Sequence, residues 1–223
     1  MEVIIFILFA ALVVAGGIWS AIAARKRREA FATLAARLGL RFSSDRDHGL
    51  AERFRFLDKL AQGSNRYAYN VLSGDYQGHP VLALDYHYET RSTDSKGRRQ
   101  THHHHFSFFI LLLPRGFPEL TISREGIFSK VAQAFGYDDI DFESHEFSRK
   151  FCVRGKDKKF AYDVCHTRTM EYLLANPDLT IEIEESALAI AFSRCLKDDE
   201  IEPNLKRLLQ IRLLLPDYLF TTV

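Results

Sequence analysis

Residues 3–24 form an uninterrupted uncharged stretch of 22 residues, and Arg25, Lys26, Arg27 and Arg28 follow it at once. At about 1.5 Å of rise per residue, a helix of that length spans roughly 33 Å, enough to cross the hydrocarbon core of a bilayer. The stretch therefore predicts a transmembrane helix. A cleaved secretory signal carries its cations before a shorter apolar core, whereas Glu2 precedes this core and the cations come after it. Positive charge on the C-terminal flank stays in the cytoplasm, so Arg25, Lys26, Arg27 and Arg28 orient the helix with its N-terminus out and everything downstream inside. Trp19, near the basic end, suits the membrane interface.

The chain beyond the anchor is long enough for one domain with its own core. The expected division is an anchor over 1–24, a helical neck over 25–62 and a cytoplasmic domain over 63–223. Phe31, Leu34, Ala35 and Leu38 continue the helical spacing, and Gly39 is placed to end it. A second helix is expected over 47–60. The period then changes from helix to strand. Strands are predicted over 66–76, 79–90 and 101–113, the first two joined by a tight Gln77-Gly78 turn.

Leu82, Leu84, Tyr86 and Tyr88 alternate on one face of their strand, and Phe106, Phe108, Ile110 and Leu112 on one face of theirs, which marks those positions as the buried side. Pro114, Gly116 and Pro118 are expected to close that run, ahead of a short strand over 120–123 and a helix over 127–135. A strand over 151–154, a helix over 167–175, a hairpin over 179–192 and a last helix from Asp198 to the stop at Pro216 complete the reading. Antiparallel hairpins with inserted helices and a C-terminal helix define an α+β fold. A bent sheet closed by the last helix, as in a pleckstrin-homology barrel, is one architecture with that element order.

Glu143-Ser144-His145-Glu146-Phe147-Ser148-Arg149-Lys150-Phe151-Cys152-Val153, then Asp157, then Met170-Glu171-Tyr172-Leu173-Leu174, resembles a family of bacterial membrane proteins catalogued only as a domain of unknown function. Its members join hydrophobic anchors to a soluble α+β domain. The resemblance implies a bacterial, membrane-associated origin and supplies no catalytic residue; taken with the flanking cations, it makes the expected location the inner membrane with the domain in the cytoplasm.

The sequence is poor in catalytic signatures. It has no Walker loop and no GxGxxG motif, which leaves phosphate and dinucleotide chemistry without support. Ser144-His145-Glu146 places nucleophile, base and carboxylate types side by side, where they point apart. The carboxylates of Asp138, Asp139, Asp141 and Glu143 lack the glycine and spacing of a calcium loop. A net charge of +1, with basic residues split among short runs, argues against nucleic acid. Cys152, Cys165 and Cys195 are widely spaced and offer no CxxC pair.

One run does carry metal-binding chemistry. His102, His103, His104 and His105 sit in a predicted strand, so His103 and His105 share one face. A hairpin centred near Lys96 puts His87 across from His105 and Glu89 across from His103. The metal-ligand set read this way is His87, His103 and His105, with Glu89 beside them and zinc as the suitable ion. The leading expectation is a non-enzymatic domain that binds a protein partner at the bilayer, with no cofactor required. A metal-binding or metal-sensing domain built on the histidines is the second reading, and a hydrolase whose site assembles from distant residues is the third.

Overall fold

A computed structural model describes residues 2–95, 97–125 and 140–221, apart from the side chains at 2–5, 7–13, 18 and 20. The helix expected over 127–135 lies outside the described residues, as do Asp138 and Asp139. The first element is one continuous helix, α1 (Glu2–Leu38). Its 37 residues extend roughly 55 Å at the usual helical rise. Among the described residues no helix is long and apolar enough to cross a membrane.

The two halves of α1 behave differently. Phe6, Val14, Trp19 and Ile22 are exposed, whereas Phe31, Leu34 and Ala35 are buried against the sheet. The helix ends where Gly39 turns left-handed at φ 71°. There Gly39 N donates to Ala36 O and Leu40 N to Ala35 O at 2.8 Å, the paired bonds of a Schellman stop. An added Cβ at Gly39 meets open space, so only the backbone conformation demands glycine. Gly39→Ala is accordingly expected to lower stability by about 1 kcal/mol, read from denaturant unfolding.

Within residues 25–62 the continuous helix runs to Leu38. Strand β1 (Arg41–Ser43) comes next, then helices α2 (His48–Arg53) and α3 (Asp58–Ala61), so the single helix anticipated over 47–60 is two short ones. Asp47 caps α2 by accepting from Leu50 N at 2.7 Å. Strands β2 (Ser64–Tyr76) and β3 (His79–Thr93) meet at the predicted turn, where Gln77 and Gly78 both take positive φ.

Strand β4 (Arg99–Arg124) is the spine of the sheet. Pro114, Gly116 and Pro118 do not end it, because its ladder to β6 (Thr180–Ala191) shifts register twice there, a bulge that accommodates the prolines. The hairpin expected over 179–192 is likewise a single strand: β6 bends at Glu185, which has φ 47°, and pairs with β4 on both sides of the bend. The face alternation changes at that bend and imitates a turn. Strand β5 (Phe151–Gly155) pairs the distal part of β4. Helices α4 (His145–Lys150), α5 (Lys158–Val164), α6 (Thr167–Ala175) and α7 (Asp198–Leu214) complete the chain, α6 within its predicted bounds and α5 unforeseen.

The sheet is antiparallel and runs β1-β2-β3-β4-β5, with β6 on the other side of β4. Among the described residues no ladder joins β1 to β6, so the sheet is open. Both its faces are buried. Val81, Ala83, Phe109 and Leu111 pack under α1, α5, α6 and α7, while Leu84, Tyr86, Phe106, Phe108 and Ile110 pack under α2 and α3. Alternation marks only the second set as interior. The unbroken apolar run through 108–113 is what double-sided burial requires.

Candidate functional site

The antiparallel register of β3 and β4 sets a row of polar residues on the α1 face. Asp85 pairs with Ser107, His87 with His105 and Glu89 with His103, the register expected from a turn near Lys96. The row runs from the buried middle of the sheet out to the open hairpin, and its inner and outer ends do different work.

At the inner end Asp85 is fully buried. Arg27 of α1 spans its carboxylate, Nη2 standing 3.0 and 2.9 Å from the two oxygens and Nε 3.2 Å from one. Asn70 Nδ2 donates to Asp85 at 2.9 Å and Ser107 Oγ at 2.8 Å. Ser107 Oγ in turn accepts from Leu196 N at 2.8 Å, which ties in the approach to α7. Every oxygen of this buried charge is therefore bonded, the condition under which a buried ion pair is tolerated. Arg27 also lies 4.6 Å over the ring of Phe31, one turn along the helix. Of the four cations read as topological determinants, Arg27 is thus committed to the domain, while Arg25 pairs with Glu29 on the exposed helix surface. Lys26 and Arg28 are exposed.

The middle of the row is aromatic. Tyr67 stacks on His87 with centroids 4.5 Å apart, and His105 packs against the same imidazole at 4.7 Å. Nδ1 of His105 lies 3.0 Å from Tyr69 Oη, which also contacts Cys195 Sγ at 3.6 Å. Burial pushes the Tyr69 hydroxyl up, and it pushes the Cys195 thiol up to about 11 and the Cys165 thiol up to about 12. Both sulfurs are therefore thiols at neutral pH, which removes them as ready nucleophiles. Burial, followed by the neighbouring His87 and His103, pulls His105 down.

At the outer end His87, Glu89 and His103 converge, with one ligand atom from each within 4.8 Å of the others. His87 Nε2 is 3.1 Å from His103 Nδ1, which is 3.6 Å from Glu89 Oε1. Of the three histidines read as ligands, His105 is turned toward Tyr69, and the carboxylate stands in its place. His102 and His104 occupy the opposite face, where His104 stacks on Tyr88 and bonds Thr90, and His102 bonds Ser92. The four-histidine run thus splits between faces as a strand requires.

A second titratable cluster lies beneath α3, where sequence pattern gives no sign of it. Alternation with Ile181 and Ile183 puts Glu182 on a solvent face, yet it is 3 % exposed. One of its oxygens accepts from Lys59 N at 3.3 Å and the other has no partner. Burial pushes its carboxyl up to about 8, and Glu184 beside it up to about 7. Asp58 is raised as well, by burial and then by Glu119. No pairing in this group aligns a nucleophile with a base, so its chemistry is that of a carboxylic acid held neutral.

No family model and no curated protein matches the sequence, which is consistent with an uncharacterised family. Among solved structures, the crystal structure of the mycobacterial trehalose monomycolate transport factor A, TtfA, is similar, with a TM-score of 0.59 at 13% identity. The match covers 86% of this chain and 96% of that chain. At that identity the likeness is one of fold.

Proposed function

We propose that this chain is a membrane-anchored, non-enzymatic interaction domain that holds a protein partner of a transport assembly against the inner face of the bacterial cytoplasmic membrane. The observation that carries it is the contrast within α1 between the exposed Phe6, Val14, Trp19 and Ile22 and the part fastened to the sheet through Arg27 and Asp85. Exposed apolar side chains on a helix, as at Phe6, Val14, Trp19 and Ile22, have the bilayer as their natural solvent. In this reading residues 1–24 are the anchor, the N-terminus is outside, and the residues from 25 on form the cytoplasmic unit. Arg25, Lys26 and Arg28 lie at headgroup level, where cations are attracted to anionic lipid. Arg27 fixes the angle at which the domain meets the membrane.

Support for the transport context comes from the neighbour of like fold, whose name describes a transport factor. Support for a non-enzymatic role comes from the Cys165 and Cys195 thiols held protonated and from His87, Glu89 and His103 engaged with one another. The experiment is in-membrane crosslinking with mass spectrometry on the full chain, beside a control in which an unrelated domain is carried on residues 1–28. Selective recovery of a membrane transport component by the full chain is expected. Equal recovery by both carriers contradicts the proposal. Topology is checked separately: a C-terminal reporter active only outside the cytoplasm is expected to be silent, and strong activity reverses the orientation.

A further inference from the structure

The outer end of the polar row has the construction of a metal site, and its supporting residue is one that alternation does not reveal. Asn65 sits at the irregular start of β2 with φ 49°, a left-handed conformation that asparagine tolerates better than most residues. Its backbone carbonyl accepts from His87 Nδ1 at 3.0 Å, and its side-chain amide donates to Glu89 Oε1 at 2.6 Å. A carbonyl only accepts, so Nδ1 of His87 bears the proton, and Nε2 of the neutral ring presents its lone pair toward His103. One residue therefore orients two of the three converging groups, as outer partners do around metal-bound histidine and carboxylate. Gly63, two residues earlier, has φ 64°, and an added Cβ there would collide with Glu89 O, so the turn that sets Asn65 passes directly against the β3 backbone.

We propose that His87 Nε2, His103 Nδ1 and the Glu89 carboxylate bind one borderline divalent cation, zinc foremost, with water as the fourth ligand and Asn65 as the outer support. Two ligands of a tetrahedral zinc ion at about 2.0–2.1 Å stand roughly 3.3 Å apart. The observed separations of 3.1 and 3.6 Å bracket that spacing. Two imidazoles and one carboxylate make up a familiar three-residue zinc set that keeps one position open. His87 is buried and stacked on Tyr67, whereas His103 is half-exposed, so the ion enters from the hairpin side and closes onto a ring already in place. The site stands on geometry alone and does not depend on the proposed membrane role.

The test uses the full chain in detergent, purified on a tag without histidine and away from nickel, then stripped with chelator. Zinc titration against a chromophoric competitor is expected to show one tight site per chain. His103→Gln and Glu89→Gln are each expected to weaken it tenfold or more, and Asn65→Gly, which keeps the left-handed backbone, by about 10–100-fold. Cobalt(II) in the same site is expected to give the intense visible absorption of a four-coordinate ion, lost in His103→Gln. His103 is accessible, so its substitution reports on binding even if His87→Gln perturbs folding. The His102→Gln/His104→Gln double variant is expected to bind zinc unchanged. Absence of a one-to-one site, or a loss in that double variant equal to the loss in His103→Gln, overturns the proposal.

Discussion

Arg27→Ala is expected to lower the unfolding free energy by about 2–4 kcal/mol, because it leaves the Asp85 carboxylate buried without its counter-charge. The usual range of about 3–5 kcal/mol for breaking a buried pair is shifted downward here, since the Arg27 side chain retains 28% exposure while that of Asp85 has 1%. Asn70 and Ser107 remain as donors but bring no charge. Arg27→Lys is expected to recover part of the loss only, because one ammonium cannot reproduce the planar guanidinium contact with both oxygens. Denaturant unfolding in detergent measures each change, and a double-mutant cycle with Asp85→Asn isolates the pair. The cycle is expected to be non-additive by about 1–3 kcal/mol, the combined change costing less than the sum. Additive costs would show that the contact carries no energy and that α1 is held by Phe31, Leu34 and Ala35 alone. Under the proposed membrane role, Arg27→Ala is expected to loosen the angle between α1 and the sheet while leaving residues 1–24 unchanged.

Glu182→Gln is expected to stabilise the protein, and to do so only as the pH rises. The carboxyl titrates near 8 in the folded chain against 4.5 for the ordinary group. The folded state thus holds this proton more tightly than the unfolded state does. Below the unfolded value both states are protonated and the group is neutral in its effect; above it the unfolded chain ionises first, and stability falls until the folded carboxyl also ionises near 8. The full interval corresponds to about 4–5 kcal/mol as an upper bound, of which solvent entry would remove some. The variant is therefore expected to match the parent at about pH 4 and to exceed it by about 2–4 kcal/mol at about pH 9. Unfolding midpoints across that range decide the matter, and a difference independent of pH contradicts it. Glu184 acts in the same direction and more weakly, because solvent reaches it.

Periodicity in the chain reports local geometry well and distant cover poorly. The β3–β4 register, the Gln77-Gly78 turn, the glycine stop at Gly39 and the α6 bounds are all legible, since each depends on residues close in sequence. The groups that hide Asp85 and Glu182 come from elsewhere in the chain. Arg27 is 58 residues from Asp85, and Lys59 is 123 residues from Glu182. In an alternating strand a lone carboxylate reads as solvent-facing unless the element that covers it is known. The β4 and β6 bulges are hidden for a related reason: each moves the alternation onto the other face, so prolines and a Glu-Glu-Ser step look like termini when both strands continue.

The cluster of His87, Glu89 and His103 shows the same boundary. Strand parity alone places His87, His103 and His105 on one face, and that parity holds. Parity does not set rotamers. Tyr69 draws His105 away, and Asn65, reached only through the left-handed start of β2, draws Glu89 in.

The membrane role requires the exposed half of α1 to lie in lipid, and the chain has one tryptophan to report it. Trp19 is 79% exposed and stands two turns before Arg27. With the full chain in vesicles containing anionic lipid, its emission is expected to shift to the blue. Lipids brominated high on the acyl chain are expected to quench it more than lipids brominated near the chain end, as befits an interfacial indole. Emission characteristic of water, quenched by soluble iodide and indifferent to every brominated lipid, would place α1 outside the membrane and contradict that role.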